Sequence, residues 1–585
     1  MFGHKFRKED GLFVVILVLF VILFISLFEL QIVEGEHYKS FAKKNMTRLV
    51  KKPSPRGIIY DTYLNPLVEN VPSLGVYVDL RKVQNQEKLA SFLSAKLNLK
   101  EKSILDILRK HRFIRFAPIL IAYDVDMKTA IELEENIENY PSIIIKCESK
   151  RNYLSQSHFL GYVGKISQEE YKRKKRKGYD NLDYIGKYGL EKYYEEYLKG
   201  TKGYDVLQVD AAGTAMGSPN KEHSKKPISG KDVVLTINKN LQKEVKNILP
   251  NDSSCVAIVI NVKTGGILAS VSYPNYDPNQ FVVKIENDYW QRIINNPKKP
   301  LLNRICDATY PPGSVFKLVT AAYALESDLV DKEEILVDCE GGVEYGGRFF
   351  GCWKDEGHGE MNMKDAIIQS CDSYFYKIAE KIKLDSFYTY VKDNHLLDPA
   401  GIDLLSKRKG FFPTVDWYND HYSEHGWSRG NILNLVIGQG EVLLTPLSIV
   451  TYYAGLANNG LVKVPHYLKY IDDNGKKTEK KFGSYKLPIS EDNIEFFLDA
   501  LDKAVNGKNA TGIMARLDGV KVGGKTGSAE NYKGDTHSWF TAIAPIDNPR
   551  VASVVFVENG GSGGGIAARL TGKILAAYFQ TQTIY

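Results

Sequence analysis

Apolar positions follow three regimes along the 585 residues. From Gly11 to Phe28 they are continuous: GLFVVILVLFVILFISLF carries no charge, and Ser26 is its one polar side chain. Eighteen helical residues rise about 27 Å, close to the roughly 30 Å hydrocarbon core of a bilayer. The run predicts a transmembrane helix over 11–30, with 1–10 as a cytoplasmic tail. ELQIVEGEHY follows without a small-x-small cleavage site, so a retained anchor is expected over a removed signal peptide or a buried helix.

Between Glu29 and about Gly230 the pattern is charged, helix-prone and irregular. Its basic run, KRKKRK at 172–177, reads as a solvated face, with a contact to anionic lipid or polymer as the alternative. Near Gly230 the pattern changes. KDVVLTI predicts a strand and NKNLQKEVKNIL a helix; CVAIVINV and ILASVSYP flank a Lys-Thr-Gly-Gly turn at 263–266, a hairpin signal. SWFTAIAP and VASVVFVENG predict two more strands, and Ile566, Leu570, Ile574 and Ala577 mark one face of a closing helix. The expected fold class is α+β: anchor, an elongated pedestal of the dimerisation type over 31–230, and a domain over 231–585 with an antiparallel sheet flanked by helices.

Composition adds little beyond size. With 43% hydrophobic and 25% charged residues the chain can bury several cores. A net charge of +7 without a zinc-finger or RNA-binding pattern argues against nucleic acid. Lys5, Arg7 and Lys8 precede the apolar run, but Lys39, Lys43, Lys44, Arg48, Lys51 and Lys52 follow it, so charge leaves the orientation open.

Three segments carry chemistry as a set. YPPGSVFKLVTAAYAL places Ser314 and Lys317 three residues apart, on one helical face. A serine needs a base, and a lysine serves if burial or a neighbouring cation keeps it neutral. IIQSCDSYFYKIAEKI places Ser370 and Asp372 at the start of a second helix. VGGKTGSAE places Lys525, Thr526, Gly527 and Ser528 on an expected strand edge, between glycines that let a substrate backbone approach. Ser-x-x-Lys alone is weak evidence; the three together are the arrangement of penicillin-reactive serine enzymes.

With PRGIIYD, RFAPIL, GKYGLEKYYE, CWKDEGHG and VIGQGEVLLTPL, the chain resembles the class B penicillin-binding proteins, the serine D,D-transpeptidases of cell-wall synthesis. Within that class it is most similar to the branch serving cell elongation. The resemblance implies that Ser314 attacks the penultimate D-Ala carbonyl of a stem pentapeptide and Lys317 takes its proton. Ser370 relays a proton to the leaving D-Ala; Thr526 and Ser528, backed by Lys525, hold the terminal carboxylate. The backbone N–H groups of Ser314 and Ser528 form the oxyanion hole. Asp372 stands where the wider superfamily has Asn, as is common in the elongation branch, and Lys525 is expected to pair with it. β-Lactams are expected to acylate Ser314. A division-type transpeptidase and a β-lactam sensor are the alternatives.

DCEGGVEYGGRFFGCWKDEGHGE and the second motif together space Cys339, Cys352, His358 and Cys371 as C-x12-C-x5-H-x12-C. Three thiolates and an imidazole form a closed, structural Zn²⁺ set; a Cys339–Cys352 disulfide and plain core cysteines are the alternatives. The chemistry itself requires no cofactor. Cys147, Cys255 and Cys306 are expected to be buried small apolar residues. The resemblance further implies a pedestal that engages a multi-pass membrane glycosyltransferase of the shape–elongation–division–sporulation family and elongation-complex scaffold proteins. The domain over 231–585 is expected outside the cytoplasm, on the inner (plasma) membrane.

Overall fold

The computed structural model describes residues 8–45, 47–112, 118–181, 183–209, 220–282, 285–398, 401–405, 407–422, 426–531 and 534–583. The beginning of RFAPIL lies outside these residues. The chain divides into two compact units: Met1–Pro55 with Pro72–Lys150 and Gly200–Ser229, and Arg56–Val71 with Arg151–Lys199 and Gly230–Tyr585.

In the first unit the apolar run forms the helix Lys8–Phe28, extended by a π turn at Glu29–Val33. Its large apolar side chains are all exposed, from Leu12 to Phe28. A helix apolar all round that no protein surface covers is suited to lipid, and 11–33 is long enough to cross a membrane. Beyond it, Thr47–Lys52, Gly203–Gln208 and Asn220–Lys225 form a small antiparallel sheet. A separate core gathers Val76, Val78 and Ile121 from paired strands with Leu89, Leu93, Ile104 and Leu108 from the helices Gln86–Leu97 and Glu101–Lys110. Cys147, on the strand Ile143–Tyr153, is exposed, contrary to expectation; Cys255 and Cys306 are buried.

The second unit is built on a five-stranded antiparallel sheet in the order Ile267–Tyr273, Cys255–Asn261, Val551–Val557, His537–Ala544, Gly523–Ala529. The strands Cys255–Asn261 and Val551–Val557 are apolar at nearly every position because both faces are covered. Cys255, Ala257 and Val259 point to a core with Leu241, Val245, Leu570 and Ile574, from the helices Lys239–Ile248 and Ile566–Thr583. Val256, Ile258 and Ile260 alternate to the opposite face, into the larger core with Leu318, Val319, Val450 and Tyr453. The motif strand Gly523–Ala529 is the sheet's edge, so one row of its backbone groups is left for other partners.

Two further blocks noted in the sequence meet within this unit. The Arg56 guanidinium of PRGIIYD donates to Glu191 at 2.6 Å and Glu195 at 2.8 Å, both from GKYGLEKYYE, and Arg151 donates to Glu191 at 2.7 Å. Both glutamates are buried, so the arginines are what makes their charge tolerable there.

Candidate active site

Pro311, Pro312 and Gly313 lead into a 3₁₀ turn, Gly313–Phe316, and then the helix Lys317–Glu326. Gly313 has φ +57°, and a Cβ there would stand 2.6 Å from the Ser528 carbonyl oxygen, so glycine alone fits. Ser314 is half-buried on this turn, and Lys317, on the first turn of the helix, is completely buried.

The second motif is a kink between helices. The helix Met363–Gln369 ends in Ser370, which is left-handed (φ 56°, ψ 37°); Cys371 is extended, and Asp372 starts the helix Asp372–Ala379. The sequence pattern puts Ser370 and Asp372 together on one helix start; instead Ser370 caps one helix and Asp372 opens the next. A serine in the left-handed region costs of order 1–3 kcal/mol and persists where its surroundings enforce it. Here the kink turns both Ser370 oxygens to one amine: Lys317 Nζ donates to the Ser370 carbonyl at 2.7 Å and to its Oγ at 3.4 Å.

Lys317 also donates to Asp372 Oδ1 at 2.8 Å. This corrects the expected Lys525–Asp372 pair. Lys525, fully buried on the edge strand, donates to Ser370 Oγ at 2.8 Å and to the Thr526 carbonyl at 3.2 Å. Burial, reinforced by the Lys317 charge, holds the Lys525 ammonium well below the usual lysine range; Asp372 only partly opposes this. Ser370 Oγ thus sits between two buried amines, of which one has a carboxylate and the other does not. Thr526 Oγ1 lies 3.4 Å from Thr511 Oγ1, and the exposed Ser528 accepts the Gly563 N–H on its Oγ at 3.0 Å.

The donor atoms of Cys339, Cys352, His358 and Cys371 all lie within 4.8 Å of one another. Cys339 and Cys352 are free thiols, not a disulfide, and each sulfur stands 3.5 Å from His358 Nδ1. Zinc held by sulfur at about 2.3 Å and nitrogen at about 2.0–2.1 Å has tetrahedral S···N edges of roughly 3.5–3.6 Å, so the donor set fits that ion. A hydrogen bond from Cys371 favours the thiolate at Cys352, and Cys371 itself is pushed up by that contact. Two neighbours join this cluster to the second motif. Asp372 N–H donates to Cys352 Sγ at 3.3 Å, and Trp353 N–H donates to Asp372 Oδ2 at 3.1 Å. Sequence reasoning passed over Trp353, and also Gln439, whose side-chain amide touches the edge strand; both lie inside quoted motifs, but nothing in their spacing reveals a backbone contact.

Ser314 and Lys317 on a 3₁₀ turn and the helix it opens, beside an antiparallel sheet whose edge strand carries Lys525, define a serine acyltransferase of the penicillin-reactive class. Residues 255–576 match the penicillin binding protein transpeptidase domain, and residues 51–235 the penicillin-binding protein dimerisation domain. The peptidoglycan D,D-transpeptidase MrdA of Haemophilus influenzae is 31% identical over 605 residues, covering 98% of this chain and 91% of that protein. A solved complex between penicillin-binding protein PBP2 and MreC from Helicobacter pylori aligns with TM-score 0.81 at 26% identity, over 92% of this chain and 100% of that one. A structure described as the structural coordination of polymerization and crosslinking by a peptidoglycan synthase complex aligns with TM-score 0.71 at 25% identity, over 98% of both chains. The chain belongs to the class B penicillin-binding proteins, in their MrdA-type branch of elongation D,D-transpeptidases.

Proposed function

We propose that Ser314 is the nucleophile of this transpeptidase, with Lys317 as its base and Ser370 as the proton carrier. The observation that carries the assignment is Ser370 Oγ held between Lys317 and Lys525, both fully buried. Lys317 Nζ is held against Asp372 Oδ1 and the Ser370 oxygens. Attack requires Lys317 as the neutral amine, and Ser370 Oγ links that amine to Lys525. Ser314 Oγ then attacks the penultimate D-Ala carbonyl carbon and its proton goes to Lys317. The C–N bond breaks, and the terminal D-Ala leaves with a proton delivered through Ser370. An amine of a neighbouring stem peptide attacks the resulting ester, forms the crosslink and returns the proton to Ser314. Lys525, Thr526, Gly527 and Ser528 receive the terminal carboxylate of the donor peptide, and the Ser314 and Ser528 N–H groups face the oxyanion.

Cys339, Cys352, His358 and Cys371 would hold a structural Zn²⁺, which supplies cross-linking of the loop and no reacting group. Its benefit to the reaction comes through Asp372, whose N–H meets the ligand Cys352 and whose carboxylate meets Trp353. The apolar helix anchors the chain, and the transpeptidase domain (231–585), carried on the pedestal (31–230), works on the outer face of the inner membrane because its substrate, peptidoglycan, lies there. The relatives solved with MreC and in a peptidoglycan synthase complex support an elongation-complex scaffold and a multi-pass glycosyltransferase as partners. Reconstitution with such a polymerase and lipid-linked pentapeptide precursor tests the proposal: dimeric muropeptides form with wild type and are lost in Ser314→Ala. Release of D-Ala without dimers would make the protein a carboxypeptidase instead.

A further inference from the structure

The segment Gly438-Gln439 touches both halves of the site, and the mechanism above does not use it. Gly438 has φ +74°, and a Cβ there would lie 2.3 Å from the Gly313 carbonyl oxygen; Gly313 N–H in turn donates to the Gly438 carbonyl at 2.9 Å. The turn before Ser314 therefore rests directly on this dipeptide. The next residue reaches the other half. Gln439 Nε2 donates to the Ser528 carbonyl at 3.2 Å, and Gln439 Oε1 accepts the Glu530 N–H at 3.3 Å. A carbonyl only accepts and a backbone N–H only donates, so this amide has one satisfying orientation.

The geometry has the form of a strand pairing. Gln439 meets the edge strand as a neighbouring backbone would, exchanging a donor and an acceptor with residues two apart. Beyond Ala529 the sheet offers no further strand partner to 530, so the amide fixes the two peptide planes flanking Ala529, the first of which begins at the Ser528 carbonyl, where the sheet ends. The Gln439 backbone is itself held, its N–H donating to the Asn434 carbonyl at 2.9 Å from the helix Gly430–Val436. Gly313 closes the arrangement against the Ser528 carbonyl.

We infer that Gln439 is a positioning residue for the oxyanion hole: with Gly438 it fixes the Ser314 turn and the Ser528 strand end to one another, so that both N–H donors face the same oxygen. The inference rests on the proposed roles of Ser314 and Ser528. It acts through the two N–H donors, because the amide touches neither reacting atom nor proton carrier, and acylation is the step at which it is read. Loss of alignment at a donor costs less than loss of the donor itself, which is about 10²–10³-fold, so about 10–100-fold is expected.

The test uses the full-length protein and a fluorescent penicillin, separating the acylation rate constant from the constant for non-covalent binding by stopped flow. Gln439→Ala lowers the acylation constant about 10–100-fold, with the binding constant and Tm near wild type. Gln439→Glu, of the same length, keeps the acceptor for Glu530 but sets an oxygen against the Ser528 carbonyl, and shows at least the same loss. Wild-type acylation in both variants overturns the inference, as does a loss confined to binding or a loss that merely follows a fall in Tm. Absence of a wild-type adduct at Ser314 would instead overturn the proposed function and is read in the same experiment.

Discussion

Lys317 Nζ lies 2.8 Å from Asp372 Oδ1, and the lysine is completely buried while the carboxylate keeps only 12% of its side chain exposed. The pairing makes Asp372 the partner of Lys317 rather than of Lys525. It also leaves Lys525 as a buried amine whose nearest polar partners are a hydroxyl and a carbonyl.

Lys317→Met removes the base and strands Asp372. Breaking one partner of a buried pair costs about 3–5 kcal/mol, so this variant loses acylation and also melts earlier. Adding Asp372→Asn removes the stranded charge and recovers most of the stability while activity stays absent. Thermal unfolding of single and double variants checks this; equal Tm values would show that the pair carries no coupling.

Lys525→Met has the opposite effect on stability. The folded-state pKa of Lys525 is depressed, so between that value and the unfolded value near 10.4 the unfolded chain binds a proton that the folded one lacks. Stability therefore rises with pH across that window, and at neutral pH the lysine is a penalty. The methionine variant is inactive yet more stable at pH 7, by roughly 0.5–2 kcal/mol, and the gain shrinks towards pH 10. Melting curves at several pH values measure it; a variant less stable than wild type at pH 7 would contradict the depressed amine.

How much of this was legible in the sequence depends on range. Strands such as Cys255–Asn261 and Ile267–Tyr273 fall within a residue of their apolar runs, because period and turn chemistry are local. The edge position of Gly523–Ala529 likewise agrees with the expectation for VGGKTGSAE. The Lys317–Asp372 pair was not, since it depends on Ser370 adopting a left-handed conformation that composition does not announce. Residues 56–71 and 151–199 group with Gly230–Tyr585 through contacts such as Arg56–Glu191 and the parallel pairing of Ile59 with Val233, which no local pattern encodes. The cysteine–histidine spacing was read correctly as a converging set because each residue type has few other reasons to cluster.

Cys371→Ser tests the metal assignment against its consequence. Protein purified without a metal-binding tag contains about one zinc per chain by elemental analysis. The variant loses it, melts earlier and acylates more slowly, because the link from Cys352 to Asp372 is loosened. Zinc-free wild type with all thiols titratable and full activity would reduce the cluster to packed core cysteines.

Ser314, served by Lys317 and Ser370, is proposed to carry the acyl group. Intact-protein mass spectrometry after incubation with a β-lactam, followed by peptide mapping, addresses it most directly. The predicted result is one persistent adduct of the drug's full mass on the peptide containing Ser314, absent from Ser314→Ala. An adduct on another residue, or undiminished labelling of Ser314→Ala, would contradict it.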